Sequence, residues 1–164
     1  MKHYLNRHQA QPAAKAMLAA GFGAAVAVII VAGLSQITTM AMLFAPLGAT
    51  CILLFSIPAS PLSQPINVVG GHFISALIGV VGHFILPANF VLDGLVVGAA
   101  LMAMMALRIV HPPAGATALV AYITATSWLF LAFPILLGSV VLVALATIYH
   151  RLTGTQYPLQ ALKI

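Results

Sequence analysis

Polar residues in this chain come in short groups, and the stretches between them are apolar for a dozen to two dozen residues. Residues 1–12 are polar and basic and close on Pro12. The run from Ala13 to Leu34 is long enough to span a bilayer and carries Lys15 at the end from which its ammonium can reach the headgroups. Its length and its Ala-rich character without a cleavage region read as a retained first span, not a signal peptide. Ser35-Gln36-Ile37-Thr38-Thr39 is expected to end it. From Met40 the chain is apolar again, but Pro46 interrupts, and the run after it stops at Pro58. Twelve helical residues cover about 18 Å, short of the roughly 30 Å hydrocarbon layer, so this segment predicts a half-helix.

Three prolines in Pro58-Ala59-Ser60-Pro61-Leu62-Ser63-Gln64-Pro65 predict a turning loop. Asn67 is the expected N-cap of a span reaching Ile85, with Gly70, Gly71, Ser75, Ala76, Gly79 and Gly82 at helical spacing for close helix contact. Leu86-Pro87-Ala88-Asn89 reads as a turn. A further span runs from Phe90 or Val91 to Ile109, ending beside Arg108. Pro112 and Pro113 then break the chain, because proline lacks the N–H and clashes with the preceding turn. A second half-helix follows to Thr124, its first turn of small residues leaving unpaired N–H groups to a ligand. Ser127 is the expected cap of a last span from Trp128 to Tyr149, kinked at Pro134 and anchored by Trp128, Tyr149 and Arg151.

Composition agrees with that pattern. Of 164 residues 63% are hydrophobic and 4% charged, and the mean hydropathy is +1.15. A soluble domain could not cover such a surface, so the lipid bilayer is the expected surrounding. The formal net charge of +5 comes from basic residues scattered at segment ends, which describes topology and excludes a nucleic-acid patch. The lone cysteine, Cys51, reads as a small core residue.

Pro46-Leu47-Gly48-Ala49-Thr50 and Pro113-Ala114-Gly115-Ala116-Thr117 are the same print, 67 positions apart. The order span, broken segment, span therefore occurs twice, as residues 13–86 and 90–150, followed by a short cytoplasmic tail over 151–164. If each broken segment crosses, six membrane segments form two inverted three-segment repeats, and Lys2, Arg7, Lys15, Arg108, Arg151 and Lys163 all face the cytoplasm with both termini. Asp93 then lies outside. With four crossings and two re-entrant loops Arg108 would be outside, so the positive-inside rule favours the all-α, six-segment arrangement. In that arrangement the two half-helix N-termini meet near mid-membrane, a device that suits an anion.

Thr50 and Thr117 recur at equivalent positions and can aim hydroxyls there, or merely bond their own i−4 carbonyls. His111 stands before a half-helix as a donor and proton carrier, or only stabilises the proline break. The expected anion-binding set is Gly48, Ala49, Thr50, His111, Gly115, Ala116 and Thr117. Pro46, Gln64, Asn67, His72, Arg108, Pro112 and Pro113 are expected to line the pathway or hold the motif. His72 and His83 share one helix face but stand about 16 Å apart along it, too far for one metal ion. Met102, Met104 and Met105 read as filler, and neither metal nor cofactor is expected. Asp93 is the only carboxylate side chain and no hydrolase motif occurs, so no enzyme is expected.

The residues that carry these readings resemble the HPP family of integral membrane proteins. Leu47 through Thr50, Ser60-Pro61-Leu62-Ser63-Gln64-Pro65, Asn67 through Gly71-His72, and His111 through Thr117 match its motifs in order, over about 13–150. The family is usually described with four spanning helices. The resemblance implies transport, since a plant plastid member is associated with nitrite movement. Many members carry a basic residue where this chain has Ile66, so no anion contact is implied from that position, and the CBS-domain pair of some bacterial relatives is not expected here. The resulting expectation is a transporter or channel for a small inorganic anion, nitrite first, in a bacterial inner membrane, as a homo-oligomer through its small-residue faces. The alternative is a non-transporting scaffold or a haem- or metal-binding membrane subunit.

Overall fold

The computed structural model describes residues 2–38, 42–125 and 127–160. Thr39, Met40 and Lys163, to which sequence expectations were attached, lie outside them. Among the described residues every regular element is helical. After a short 3-10 turn at Lys2–Leu5, helix α1 (Ala14–Thr38) runs four residues past its expected end at Leu34. The polar group does not stop it, because Thr38 returns its hydroxyl to the Leu34 carbonyl at 2.7 Å. Ser35 instead serves the following loop, its hydroxyl accepting the N–H groups of Met42 and Leu43 at 2.8 and 3.0 Å.

Helix α2 (Ala45–Ser56) is the twelve-residue half-helix, with Pro46 in its first turn. A 3-10 turn at Pro61–Ser63 leads to α3 (Pro65–Ile85), which starts two residues before the expected cap. Proline is pre-organised for a first helical position, so Pro65 opens the helix and Gln64 takes the cap site. Asn67 therefore lies inside the first turn, and its amide donates to the Val110 carbonyl at 3.0 Å. Helix α4 (Phe90–Ala106) is capped by Asn89, whose Oδ1 accepts from Val91 and Leu92 at 3.0 Å each. It stops short of Ile109 because Arg108 turns left-handed, φ 59°. The N–H groups of Arg108 and Ile109 then fold back on the carbonyls of Met105 and Met104 at 3.1 and 2.9 Å, the Schellman closure.

Helix α5 (Pro112–Thr124) is the second half-helix. The last helical stretch begins as a wider π-type turn at Leu131–Leu136, is broken at Phe133 ahead of Pro134, and continues as α6 (Leu137–Thr153). The expected kink is there, but Ser127 is not the cap of this stretch; its carbonyl accepts the N–H of Phe130 at 3.1 Å, closing a separate turn. By length and composition α1, α3 and Leu131–Thr153 can each cross a membrane. The other three are shorter, about 18 to 26 Å at the standard rise.

Side-chain contacts orient the helices. The start of α1 meets the ends of α2 and α6, where Tyr149 donates to the Ala19 carbonyl at 2.6 Å and Phe55 and Tyr149 close on Gly23. The end of α1 holds the loop before α2 through Ser35. The start of α4 meets the ends of α3 and α5, where Val96 and Tyr122 close on Gly82 and Tyr122 donates to the Pro87 carbonyl at 2.6 Å. Its far end packs Met104 against Ser75 and Gly71 near the start of α3. Tyr157, beyond α6, donates to the Ser63 carbonyl just before α3 at 3.0 Å. Consecutive helices thus alternate in direction, and the start of α1, the start of α3, the end of α4 and the end of α6 share one end of the molecule. The largest apolar core, around Val31, Leu47, Leu54 and Leu142, joins α1, α2 and α6.

Candidate functional site

Thr50 and Thr117 are each the sixth residue of a short helix, and one imidazole joins them. His72, the eighth residue of α3, has Nε2 at 2.8 Å from Thr50 Oγ1 and Nδ1 at 2.7 Å from Thr117 Oγ1. His111, the residue just ahead of α5, has Nε2 at 2.9 Å from the same Thr50 oxygen and Nδ1 at 2.8 Å from the Leu62 carbonyl. Thr50 also lies 3.0 Å from the Pro46 carbonyl. All four side chains are 0% exposed, and the imidazole centroids are 5.0 Å apart. Phe44 stands edge-on to His72 at 6.4 Å. The result is an unbroken polar path from the loop ahead of α3 to the middle of α5, enclosed by apolar packing.

Local sequence explains each placement. The proline pair leaves His111 extended, φ −135° and ψ 105°, so its ring turns away from the helix that it precedes and toward α2. Gly71 gives it room: a Cβ there would sit 2.9 Å from His111 Cβ and 3.1 Å from the Ile109 carbonyl.

The structure brings Thr50, His72, His111 and Thr117 together, so His72 belongs to the centre and not merely to a pathway. Several of the N–H groups at the helix starts have acceptors of their own. Pro112 and Pro113 have no N–H, and Ala114 donates to the His111 carbonyl at 2.9 Å. In α2, Leu47 and Gly48 both donate to the Phe44 carbonyl, at 2.9 and 3.4 Å. Gly48 and Gly115 face open space, and Ala49 and Ala116 are exposed, away from the four-residue cluster. Pro46 and Pro113 are buried while Pro112 is exposed. Gln64 pins the proline loop, donating to the Pro58 and Ser60 carbonyls at 2.9 and 2.8 Å and accepting from Leu159 at 2.8 Å. Arg108 is exposed at the end of α4.

Two further correspondences at the same 67-residue offset escape a reading confined to the proline prints. His83 sits 2.8 Å from the Tyr122 carbonyl near the end of α5, and His150 sits 2.9 Å from the Leu54 carbonyl near the end of α2. Gly71 meets the Ile109 carbonyl, and Gly138 meets that of Met42. Carrying the offset beyond the prints would have found both.

The matching profile of the HPP transmembrane region spans residues 9–158. The chain belongs to the HPP family. Two curated transmembrane proteins of Dictyostelium discoideum are similar to it, at 34% identity over 73% of this chain and 32% over 63%. The chain spans 45% and 36% of their lengths. No solved structure shows a significant match. In this HPP protein the family's His-Pro-Pro supplies one of the two imidazoles of the centre and the break that aims it.

No group of three His, Cys, Asp or Glu side chains that could hold a metal occurs among the described residues. The two Nε2 atoms of the imidazole pair converge on a point that the Thr50 hydroxyl fills. Two open cavities lie away from the cluster, one of 490 Å³ between α3 and α4 and one of 780 Å³ where the start of α1 meets the ends of α2 and α6.

Proposed function

We propose that this HPP protein transports a small inorganic anion, nitrite first, through the Thr50–His72–His111–Thr117 centre. One observation carries the reading: four polar side chains, fully enclosed in a chain of 4% charged residues, bond to one another across α2, α3 and α5. Polar and ionisable groups at membrane depth are expensive to keep, and they collect on substrate and ion pathways. In this reading six segments cross as two inverted repeats. The alternating helix directions support it, as do the paired positions His83 with His150 and Gly71 with Gly138. Arg108 then falls at the same end as Lys15 and Arg151, as the positive-inside rule asks of a cytoplasmic face, here of a bacterial inner membrane.

The anion takes the place of the bonds that the four side chains make with one another, and the hydroxyl and imidazole donors turn to it. The open face of α4, where Gly94 and Gly98 meet no neighbour, is the surface on which two copies associate.

Nitrite uptake into liposomes holding the purified protein tests the reading. Uptake above that of protein-free vesicles is expected, and Thr117→Val should cut it by roughly tenfold, equivalent to the ~1.4 kcal/mol of one lost hydrogen bond. Flux no greater than in empty vesicles would refute it.

A further inference from the structure

We infer that the centre takes up one proton on His111 with each anion, so that transport is electroneutral proton–anion symport. The inference rests on the transport reading and follows from counting donors. A carbonyl only accepts, so His111 Nδ1 must carry a hydrogen to bond Leu62. With a neutral His111 ring, Nε2 is then an acceptor, and the contact at 2.9 Å requires Thr50 to give it the one hydroxyl proton. Thr50 has none left for His72, so His72 Nε2–H donates to Thr50, and His72 Nδ1 accepts from Thr117. Every bond along the path is made in one direction only: Thr117 to His72, His72 to Thr50, Thr50 to His111, His111 to Leu62. The Pro46 carbonyl, 3.0 Å from the Thr50 oxygen, receives no hydroxyl hydrogen in this wiring.

One added proton rewires it without moving a heavy atom. With Nε2 of His111 also protonated, the ring donates to Thr50 and Leu62, Thr50 swings its hydroxyl hydrogen to Pro46, and His72 still donates to Thr50. All five short contacts are then satisfied together. Thr50 is placed for this exchange because its second acceptor is already in reach, whereas the hydroxyl of Thr117 is hydrogen-bonded to His72 alone among the described residues.

Among the described residues no other charged side chain contacts the centre; the cation nearest in sequence, Arg108, is exposed at the end of α4. From α2 the nearest titratable side chain is Cys51, next to Thr50; from α3 it is His72 itself. Helix α4 faces the site with Met104, and its Asp93 is eleven residues away at the other end. Helix α5 continues to Tyr122, bonded to the Pro87 carbonyl, and α6 reaches only His150, bonded to Leu54. An anion entering alone would bring an uncompensated charge into an apolar surrounding, which is strongly disfavoured. A proton on His111 supplies the matching charge. On release the proton leaves Nε2 with the anion, and the Thr50 hydroxyl returns to His111.

Two measurements decide the matter. In proteoliposomes with the membrane potential clamped by potassium and valinomycin, protein-dependent nitrite uptake should rise, up to roughly tenfold per pH unit, as the nitrite side is acidified. A trapped pH dye should report one proton per nitrite. Uptake that follows the membrane potential and carries no protons overturns the symport while leaving transport intact; absence of protein-dependent uptake overturns the transport reading itself. Independently, nitrogen NMR of histidine-labelled protein should show His111 as the Nδ1–H tautomer and His72 as the Nε2–H tautomer, and the opposite form at His111 overturns the wiring. Thr50→Ser should keep the proton stoichiometry, and Thr50→Val should lose it.

Discussion

Asn67 ties the first turn of α3 to a chain segment 43 residues away, through one amide bond to the Val110 carbonyl just before His111. Asn67→Ala leaves that carbonyl without its donor, and a loss of about 1–2 kcal/mol is expected in detergent unfolding. Tyr157 makes the corresponding tie on the other side of the proline loop. Its ring is buried, and burial pushes the phenol's pKa up from its ordinary value. The folded chain therefore holds that proton more tightly than the unfolded chain does. The stability it contributes is complete below about pH 10 and falls away as pH climbs beyond it. A thermal midpoint that drops at alkaline pH in the wild type, and drops less in Tyr157→Phe, is the expected result. At this scale the sequence announced Thr50, Thr117 and His111, because a repeated print and a proline pair are visible in one dimension. His72 could be noticed but not centred, since nothing in its helix says which neighbour it will face. The Leu62 carbonyl was invisible, because every residue has one.

Between elements, the closest approach is that of α3 and α5. A Cβ on Gly79 would collide with the Ala118 carbonyl and lie 2.6 Å from Ala121 Cβ, whereas one on Gly94 or Gly98 would meet nothing. Gly79→Ala should destabilise by about 1–3 kcal/mol and loosen the His72–Thr117 contact, while Gly94→Ala should be neutral or slightly stabilising. Thermal unfolding of the two variants checks both. Helix existence was legible throughout, and the two half-helices were sized correctly, with prolines bracketing α2 and opening α5. The ends that failed share a cause. Asn67, Ser127 and the polar group after Leu34 all look like punctuation, yet each had a competing use: a distant carbonyl, a separate turn, an i−4 bond. The end of α4 failed for another reason, since arginine is a poor sequence signal for a left-handed residue.

For the molecule as a whole, helix direction follows from contacts that no periodicity reveals, and it makes a topological prediction. Cys51 is buried, so the wild-type thiol should resist a membrane-impermeant maleimide in intact cells. In that background Asn89→Cys should label from outside, and Lys15→Cys and Arg108→Cys only after the cells are opened. Labelling of Arg108→Cys in intact cells would restore the four-crossing arrangement with re-entrant loops. The correspondence of the halves is close in framework and loose in chemistry. Counting 67 positions from His72 and back from His111 leads to Ser139 and Phe44, neither of which can hold a proton as an imidazole does. Exchanging the two halves would therefore not regenerate the same protein. Each half of this near-duplicate lends one imidazole, from a position whose counterpart in the other half holds none, so the centre has a front and a back despite the likeness of its frame.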